Sequence, residues 1–285
     1  MKHAPNPLNI LYVSHSHPPK NSPMENIGGM QTVSIQLLEQ FKRHSSVNVA
    51  EYVQYAPWRT IHRRTTRFLL GALRRLPGII RKSSPDVVVF TSMVTASLAP
   101  LLRARGVKTP LLAINHGHDV TMPFGLYQRH LRRVFKALDA VVSVSQATRQ
   151  ASVDRGADPS KAVVIPNGIG KLFTDGLPDR PMAQEVFWMN IGPVQSVQRK
   201  GRPARPMLLT VGRLVPRKGH AWFLEHVLPR IGEPLDYIVI GEGPEMGRLK
   251  ELAARVRAQV PHEIYLLGRQ GYEIMRLAYA GADLF

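Results

Sequence analysis

Thr210-Val-Gly-Arg-Leu-Val-Pro-Arg-Lys-Gly219 decides how this chain is read. The run follows the apolar Met207-Leu208-Leu209 and precedes Ala221-Trp-Phe-Leu-Glu-His-Val-Leu228, which has a helical pattern. It reads as a strand that ends in a glycine, a short turn, and a helix start. That order carries the Arg213 guanidinium, the Lys218 ammonium and the unsatisfied N–H groups of a helix N-terminus to one strand edge. Such a place suits an anion, and the natural anion is a phosphate or diphosphate. A solvated turn whose cations bind nothing has the same residues, so the rest of the chain must separate the two.

Working outward, short β-rich runs alternate with longer helical patterns. Strands are expected at residues 9–14, 47–53, 86–90, 111–115, 140–144 and 162–165, with helices over 30–43, 97–105, 124–138 and 146–155. A second series places strands at 207–211, 237–240, 264–267 and 283–285, with helices starting at Ala221, Pro244 and Tyr272. Alternation of this kind predicts an α/β fold of parallel sheets, and the Val-, Ile- and Leu-rich strands predict burial on both faces. Between the series, Lys171 to Pro206 is rich in Pro, Gly, Gln and Arg and ends in the basic Gln198-Arg-Lys-Gly-Arg-Pro-Ala-Arg-Pro206. The expected organisation is a Rossmann-like doubly wound domain over 1–170, a linker or insertion over 171–206, and a partial second Rossmann-like domain over 207–285.

Composition narrows the chemistry. The chain has 285 residues and no Cys, which excludes disulfides, thiolate catalysis and Cys-based zinc sites. Its amino terminus runs almost directly into Leu8-Asn-Ile-Leu-Tyr-Val13, too short for a signal-peptide core, so a cytoplasmic protein is expected. The net charge is +18. No Asp or Glu lies between Glu51 and Asp86, where Arg63, Arg64, Arg67, Arg74 and Arg75 interleave with Phe68, Leu69, Leu70, Leu73 and Leu76 at roughly helical spacing. A second basic run follows at Arg129-His-Leu-Arg-Arg-Val-Phe-Lys136. Basic amphipathic segments attract anionic lipid surfaces by about 1 kcal/mol per cation. A solvated helix face or non-specific phosphate attraction would use the same residues, and no aromatic–basic stacking motif points to specific nucleic-acid binding.

Ligands of open parallel sheets bind beyond the carboxyl ends of the strands. After the first strand comes Ser14-His-Ser-His-Pro-Pro19, then Gly28-Gly29 at a helix start, where backbone N–H groups can approach a phosphate closely. After the fourth comes His116-Gly-His-Asp119. Ser145 is placed as a helix N-cap. In the second series Gly241-Glu-Gly-Pro-Glu245 opens a helix, and Gly268-Arg269-Gln270 follows the third strand. His15, His17, His116 and His118 with Asp119 offer a different chemistry. Gathered at neighbouring strand ends they would suit zinc, and a metal-dependent hydrolase would follow.

The ordered set of these segments resembles retaining glycosyltransferases of family 4, which have the two-domain GT-B fold with a cleft between domains. The resemblance rests on Pro18, Pro19, Gly28 and Gly29, on His116-Gly, and on Asp139-Ala-Val-Val-Ser-Val-Ser145. It continues through Val164-Ile-Pro-Asn-Gly-Ile169, Val211 to Gly219, Ile240-Gly-Glu-Gly-Pro244 and Leu266-Leu-Gly268. It implies transfer of a sugar from a UDP- or GDP-linked donor to a glycan or lipid-linked acceptor, in cell-envelope polysaccharide or glycolipid synthesis. It implies no cofactor and no metal, and the chain has no Asp-any-Asp motif that would hold one. In that frame Arg213 and Lys218 clamp the diphosphate, and Gly28 and Gly29 add backbone contacts from the other domain. His116 matches a cleft histidine near the reacting sugar, Arg269 lies near the base, and Glu242 sits in a structural turn. The family's glutamate pair, with seven residues between its members beyond the strand that starts at Asp283, is not reached. Glu225 and Glu233 repeat the spacing in the wrong context. This 285-residue form is therefore expected to have little or no transferase activity, as a truncated form or a relic that still binds nucleotide. The basic segment at Arg63–Arg75 adds an expected anionic membrane surface, which would make the protein peripheral at the inner face of the plasma membrane.

Overall fold

The computed structural model describes residues 6–19, 29–168, 175–195 and 205–285. The chain divides into two compact units, one ending at Gly168 and the other beginning at Ile169.

The first unit is a six-stranded sheet in which every pairing is parallel. Its strands are β1 (Leu8–His17), β2 (Val47–Tyr55), β3 (Val87–Phe90), β4 (Leu111–Asn115), β5 (Ala140–Ser143) and β6 (Ala162–Val164), in spatial order β2-β1-β3-β4-β5-β6. The helices are α1 (Gly29–Arg43), α2 (Trp58–Ser83), α3 (Met93–Ala96), α4 (Ala99–Ala104), α5 (His118–Thr121), α6 (Gly125–Ala137) and α7 (Gln146–Val153). On one face α2, α4 and α6 bury Leu76, Leu102, Leu131 and Val134 against Leu11, Val88, Phe90 and Leu111. Each fully buried Leu or Phe there contributes about 1.5–3 kcal/mol. On the other face α1 packs Leu37, Leu38 and Phe41 around Ile10, Tyr12 and Val89. Burial on both faces, expected for the Val-, Ile- and Leu-rich strands, is incomplete: Leu112 and Val142 are half-buried and Val163 is exposed. Among the described residues α1 supplies that face's helical cover, and it packs on β1 and β2.

The second unit contains β7 (Met207–Val211), β8 (Asp236–Ile240) and β9 (Glu263–Gly268), again parallel and in that spatial order. Leu284 adds a parallel bridge beside Leu208, where a fourth strand is expected. Part of the stretch expected as linker or insertion is here a helix, α8 (Arg180–Gln195), that belongs to this unit's core. Its Phe187, Trp188 and Ile191 pack with Met207, Leu209, Ile238 and Leu267, and with Ala278 of α11 (Tyr272–Gly281). Gln184 Nε2 donates to Gly281 O (2.7 Å) and to Asp283 (3.0 Å), whose carboxylate also accepts the Met207 N–H (2.8 Å). On the opposite face, α9 (His220–Trp222, continued by a wide turn Phe223–Val227 and a tight one Leu228–Arg230) and α10 (Met246–Arg257) cover Tyr237, Val239 and Ile264.

The loops after β7 and β8 interlock through backbone alone. Gly212 N–H donates to Ile240 O (3.0 Å), Leu214 N–H to Glu242 O (3.0 Å), and Glu245 N–H to Leu214 O (3.1 Å). A Cβ on Gly241 would stand 1.8 Å from Gly212 O, and one on Gly243 would stand 2.2 Å from Leu214 O. Gly241 also has φ +152°, where side chains are strained. Gly241→Ala is expected to cost about 4 kcal/mol or more, lowering this unit's melting temperature by about 15 °C. Gly247→Ala, in open space on α10, should shift it little. Thermal unfolding by circular dichroism checks both, and equal melting temperatures would show that the loops do not need this contact.

Candidate functional site

In the first unit the carboxyl edge of the sheet is built from the ends of β1, β3, β4 and β5. His116 follows β4, and its Nε2 lies 2.9 Å from the Thr91 carbonyl oxygen. A carbonyl only accepts, so Nε2 carries the proton and donates. The Asp119 carboxylate is buried and accepts two backbone N–H groups, from His116 (2.8 Å) and from Met93 (3.0 Å). It therefore fixes the chain around His116 and is not offered to a ligand. Gly117 has φ +89°, and a Cβ there would meet Thr148 Oγ1 at 3.3 Å. Ser145 caps α7 as expected, accepting the Thr148 N–H at 3.1 Å.

A buried polar network behind this edge is not foreshadowed by any motif. Ser34 Oγ on α1 lies 3.1 Å from the Tyr12 hydroxyl, 3.0 Å from Ser14 Oγ and 2.9 Å from His17 Nε2, and Tyr12 also donates to Ser34 O at 2.6 Å. Burial pushes the Tyr12 hydroxyl well above the usual range and keeps it a donor. Breaking one member would leave buried partners unsatisfied, at about 1–3 kcal/mol each. The network thus fixes the start of α1, led by Gly29, against the end of β1.

In the second unit Arg213, Glu242 and Arg269 follow β7, β8 and β9, three neighbouring strands, at their carboxyl ends. Arg213 is half-buried, whereas Arg269 and Lys218 are exposed. His220 is buried with Nε2 3.3 Å from Arg213 O, holding the arginine's backbone from beneath. Lys218 ends a tight turn (Pro216–Lys218), Gly219 takes φ +74°, and α9 begins at His220. The expected strand, turn and helix start are all present, and they bring Arg213 and Lys218 to one loop.

Gly28 lies outside the described residues. The four histidines do not converge. A register irregularity in β1 between Ser14 and His17 sends the two rings apart, His15 within 3.5 Å of Ser92 Oγ and His17 to Ser34. His118 is exposed, and no group of three His, Cys, Asp or Glu able to hold a metal occurs among the described residues. No helix among those residues is long and apolar enough to cross a membrane.

The first unit thus offers an imidazole at its carboxyl edge, and the second offers two cations beside a helix start. Known proteins identify the chain more closely. A family model described as Glycosyltransferase Family 4 matches residues 27–170, half of the chain, and one described as Glycosyl transferases group 1 matches residues 205–285. The chain belongs to glycosyltransferase family 4 and is a sugar-transferring enzyme by class. It is 24% identical over 294 residues to the GDP-mannose-dependent alpha-(1-6)-phosphatidylinositol monomannoside mannosyltransferase of Mycolicibacterium smegmatis, a match covering 97% of this chain and 71% of that protein. The Mycobacterium tuberculosis protein of the same description is 29% identical over 184 residues, 63% of this chain and 44% of its own length. Among solved structures, a glycosyltransferase from Rickettsia africae aligns with a TM-score of 0.65 at 18% identity, covering 98% of this chain and 72% of that one. Anabaena HepE in complex with UDP aligns at 0.59 and 15% identity, covering 97% and 72%. At such identities these likenesses establish the α/β GT-B fold.

His17 makes the first unit's stability depend on pH. Burial outweighs the pull of Glu51 and lowers its pKa to about 4 from the ordinary 6.5. The unfolded chain therefore takes up this proton first as pH falls. The contribution is complete above about pH 6.5 and is drained between there and pH 4, by about 3 kcal/mol in all. The urea midpoint should fall from pH 7 to 4.5, and less steeply in His17→Gln. Parallel slopes for the two proteins would remove His17 as the cause.

Proposed function

We propose that the protein moves a mannosyl group from GDP-mannose to a lipid-linked acceptor, with retention at the sugar carbon and without a metal ion. The carrying observation is the glycine interlock that holds Arg213 and Lys218 on one short loop at the start of α9. When the sugar C1–O bond breaks, negative charge builds on the departing diphosphate. Positioned cations and helix N–H groups stabilise that charge in place of a metal. Gly28 and Gly29 are assigned to the same phosphates, Arg269 to the vicinity of the base, and His116 to the reacting sugar. The choice of GDP-mannose and of a glycolipid acceptor is supported by the mycobacterial relatives. UDP-sugars are the competing donors, since the Anabaena structure holds UDP.

A lipid-linked acceptor calls for a membrane surface, and the basic α2 supplies charge of the right sign. Arg63, Arg64, Arg67, Arg74 and Arg75 are exposed on it, and Arg75 also donates to the Tyr52 hydroxyl. In this reading the protein works at the cytoplasmic face of the membrane, peripherally.

Isothermal titration with GDP and UDP tests the site. GDP is expected to bind more tightly than UDP, with affinity unaffected by a chelator. Arg213→Ala and Lys218→Ala should each weaken GDP binding about tenfold. Unchanged affinity in both variants would overturn the assignment, and loss of binding on chelation would overturn the metal-free mechanism.

A further inference from the structure

Two stretches of the first unit carry cations with no acid among them, and they share a layer. No Asp or Glu occurs from Val120 to Leu138, as none occurs between Glu51 and Asp86. The first of these holds α6 and the second holds α2, and α4 packs between them. Facing outward are Arg63, Arg67 and Arg74 of α2 and Arg129, Arg133 and Lys136 of α6. None of the six has a carboxylate partner among the described residues.

Large apolar side chains stand out among these cations. At the start of α6, Phe124 is 65% exposed and Leu126 is 82% exposed, and Leu70 on α2 is 56% exposed. Their pose does not come from a loose loop. Gln128 Nε2 donates to Val120 O (2.9 Å) and Met122 O (2.8 Å), and its own N–H donates to Phe124 O (2.9 Å). The Tyr127 hydroxyl donates to Asp119 O at 2.6 Å, and His130 bonds Ser97 O at 2.9 Å. The inner side of α6 is thus tied to the core through polar and apolar contacts, while Leu126, Arg129, Arg133 and Lys136 form its outer stripe. A rigidly presented apolar pair within an acid-free basic surface matches an anionic bilayer: cations meet headgroups and apolar tips enter below them.

We propose that Phe124 and Leu126 form a wedge that inserts into an anionic phospholipid surface, with the outer sides of α2 and α6 flanking it on the headgroups. The inference rests on the lipid-acceptor reading and adds a position to it. The wedge sits on the segment that runs from His116, and the Asp119 carboxylate and the Tyr127–Asp119 bond fix that segment at both ends. Insertion therefore sets the His116 edge beside the headgroup plane, where the sugar of a lipid acceptor lies.

The chain has no Cys, so Leu126→Cys accepts one environment-sensitive fluorophore at one place. Vesicles of phosphatidylcholine with and without phosphatidylglycerol are the probe. The expected result is co-sedimentation with the anionic vesicles and a blue shift of the label, with Phe124→Ser plus Leu126→Ser lowering partition about tenfold. A label on Lys250→Cys, on α10 of the second unit, serves as control and should not shift. Co-sedimentation without a shift at position 126 would overturn the wedge and leave charge attraction alone. Absence of anionic-vesicle binding would overturn both, and binding to neutral vesicles equal to anionic would overturn the role of the cations. GDP binding is read separately, so failure at the membrane is distinct from failure of the transferase reading.

Discussion

Parallel pairing is the constraint from which the rest follows. Two parallel strands need a crossover, so each strand's exit loop returns to the same edge as its neighbours' exits. In the first unit this gathers the ends of β1, β3, β4 and β5, and places His116 within reach of the Thr91 carbonyl although 25 residues separate them. In the second it sets the exits of β7, β8 and β9 side by side. Chemistry then depends on which residues occupy those exits and how firmly they are held. The two units solve the second problem differently. One uses a buried hydroxyl–imidazole network on Ser34, and the other uses glycines that let two loops touch backbone to backbone.

The difference has physical consequences. A hydrogen-bonded network is worth about 1 kcal/mol per bond net, but costs more when a partner is lost, so it resists partial change. A backbone interlock through Gly241 and Gly243 has no side chain to repack and tolerates no added carbon. Lys218 is exposed and adjustable, whereas Arg213 is half-buried above a buried His220. The two cations therefore differ in kind. One is held within the loop, and the other is exposed at its end.

Strand positions were legible in the amino-acid sequence because apolar β-branched runs bounded by glycine and proline have few other solutions. Every expected strand but the last is found within a few residues, 111–115 and 207–211 coincide with β4 and β7, and the strand expected at 283–285 is reduced to a single bridge at Leu284. The helix α8 was hidden by Pro181, Gly192 and Pro193, which sit inside it and read as linker, while Phe187, Trp188 and Ile191 carry its core face. The continuous helix expected from Ala221 is broken by Pro229, which the wide and tight turns accommodate. Asp119 looked like a ligand because carboxylates near histidines suit metals. Its two backbone donors could not be read from spacing, since one of them, Met93, comes from another strand's exit. The His15–His17 pair failed for a similar reason: alternation places both on one face only when the strand is regular, and β1 is not.

The charge of +18 is the remaining point that any account must meet. The proposed donor site would use Arg213 and Lys218 for the phosphates and Arg269 near the base, and helix C-termini can use a few more cations, such as Arg81 and Lys82 at the end of α2. Neither explains why two long acid-free stretches meet in one layer, because stability favours mixed charge on a solvated face. Repulsion among Arg63, Arg67, Arg74, Arg129 and Arg133 is a cost that folding alone does not offset. Exposed Phe124 and Leu126 are a second cost, since water gains nothing from them. The proposed bilayer surface would remove both costs at once, by supplying counter-charge and apolar volume in the order in which the layer presents them.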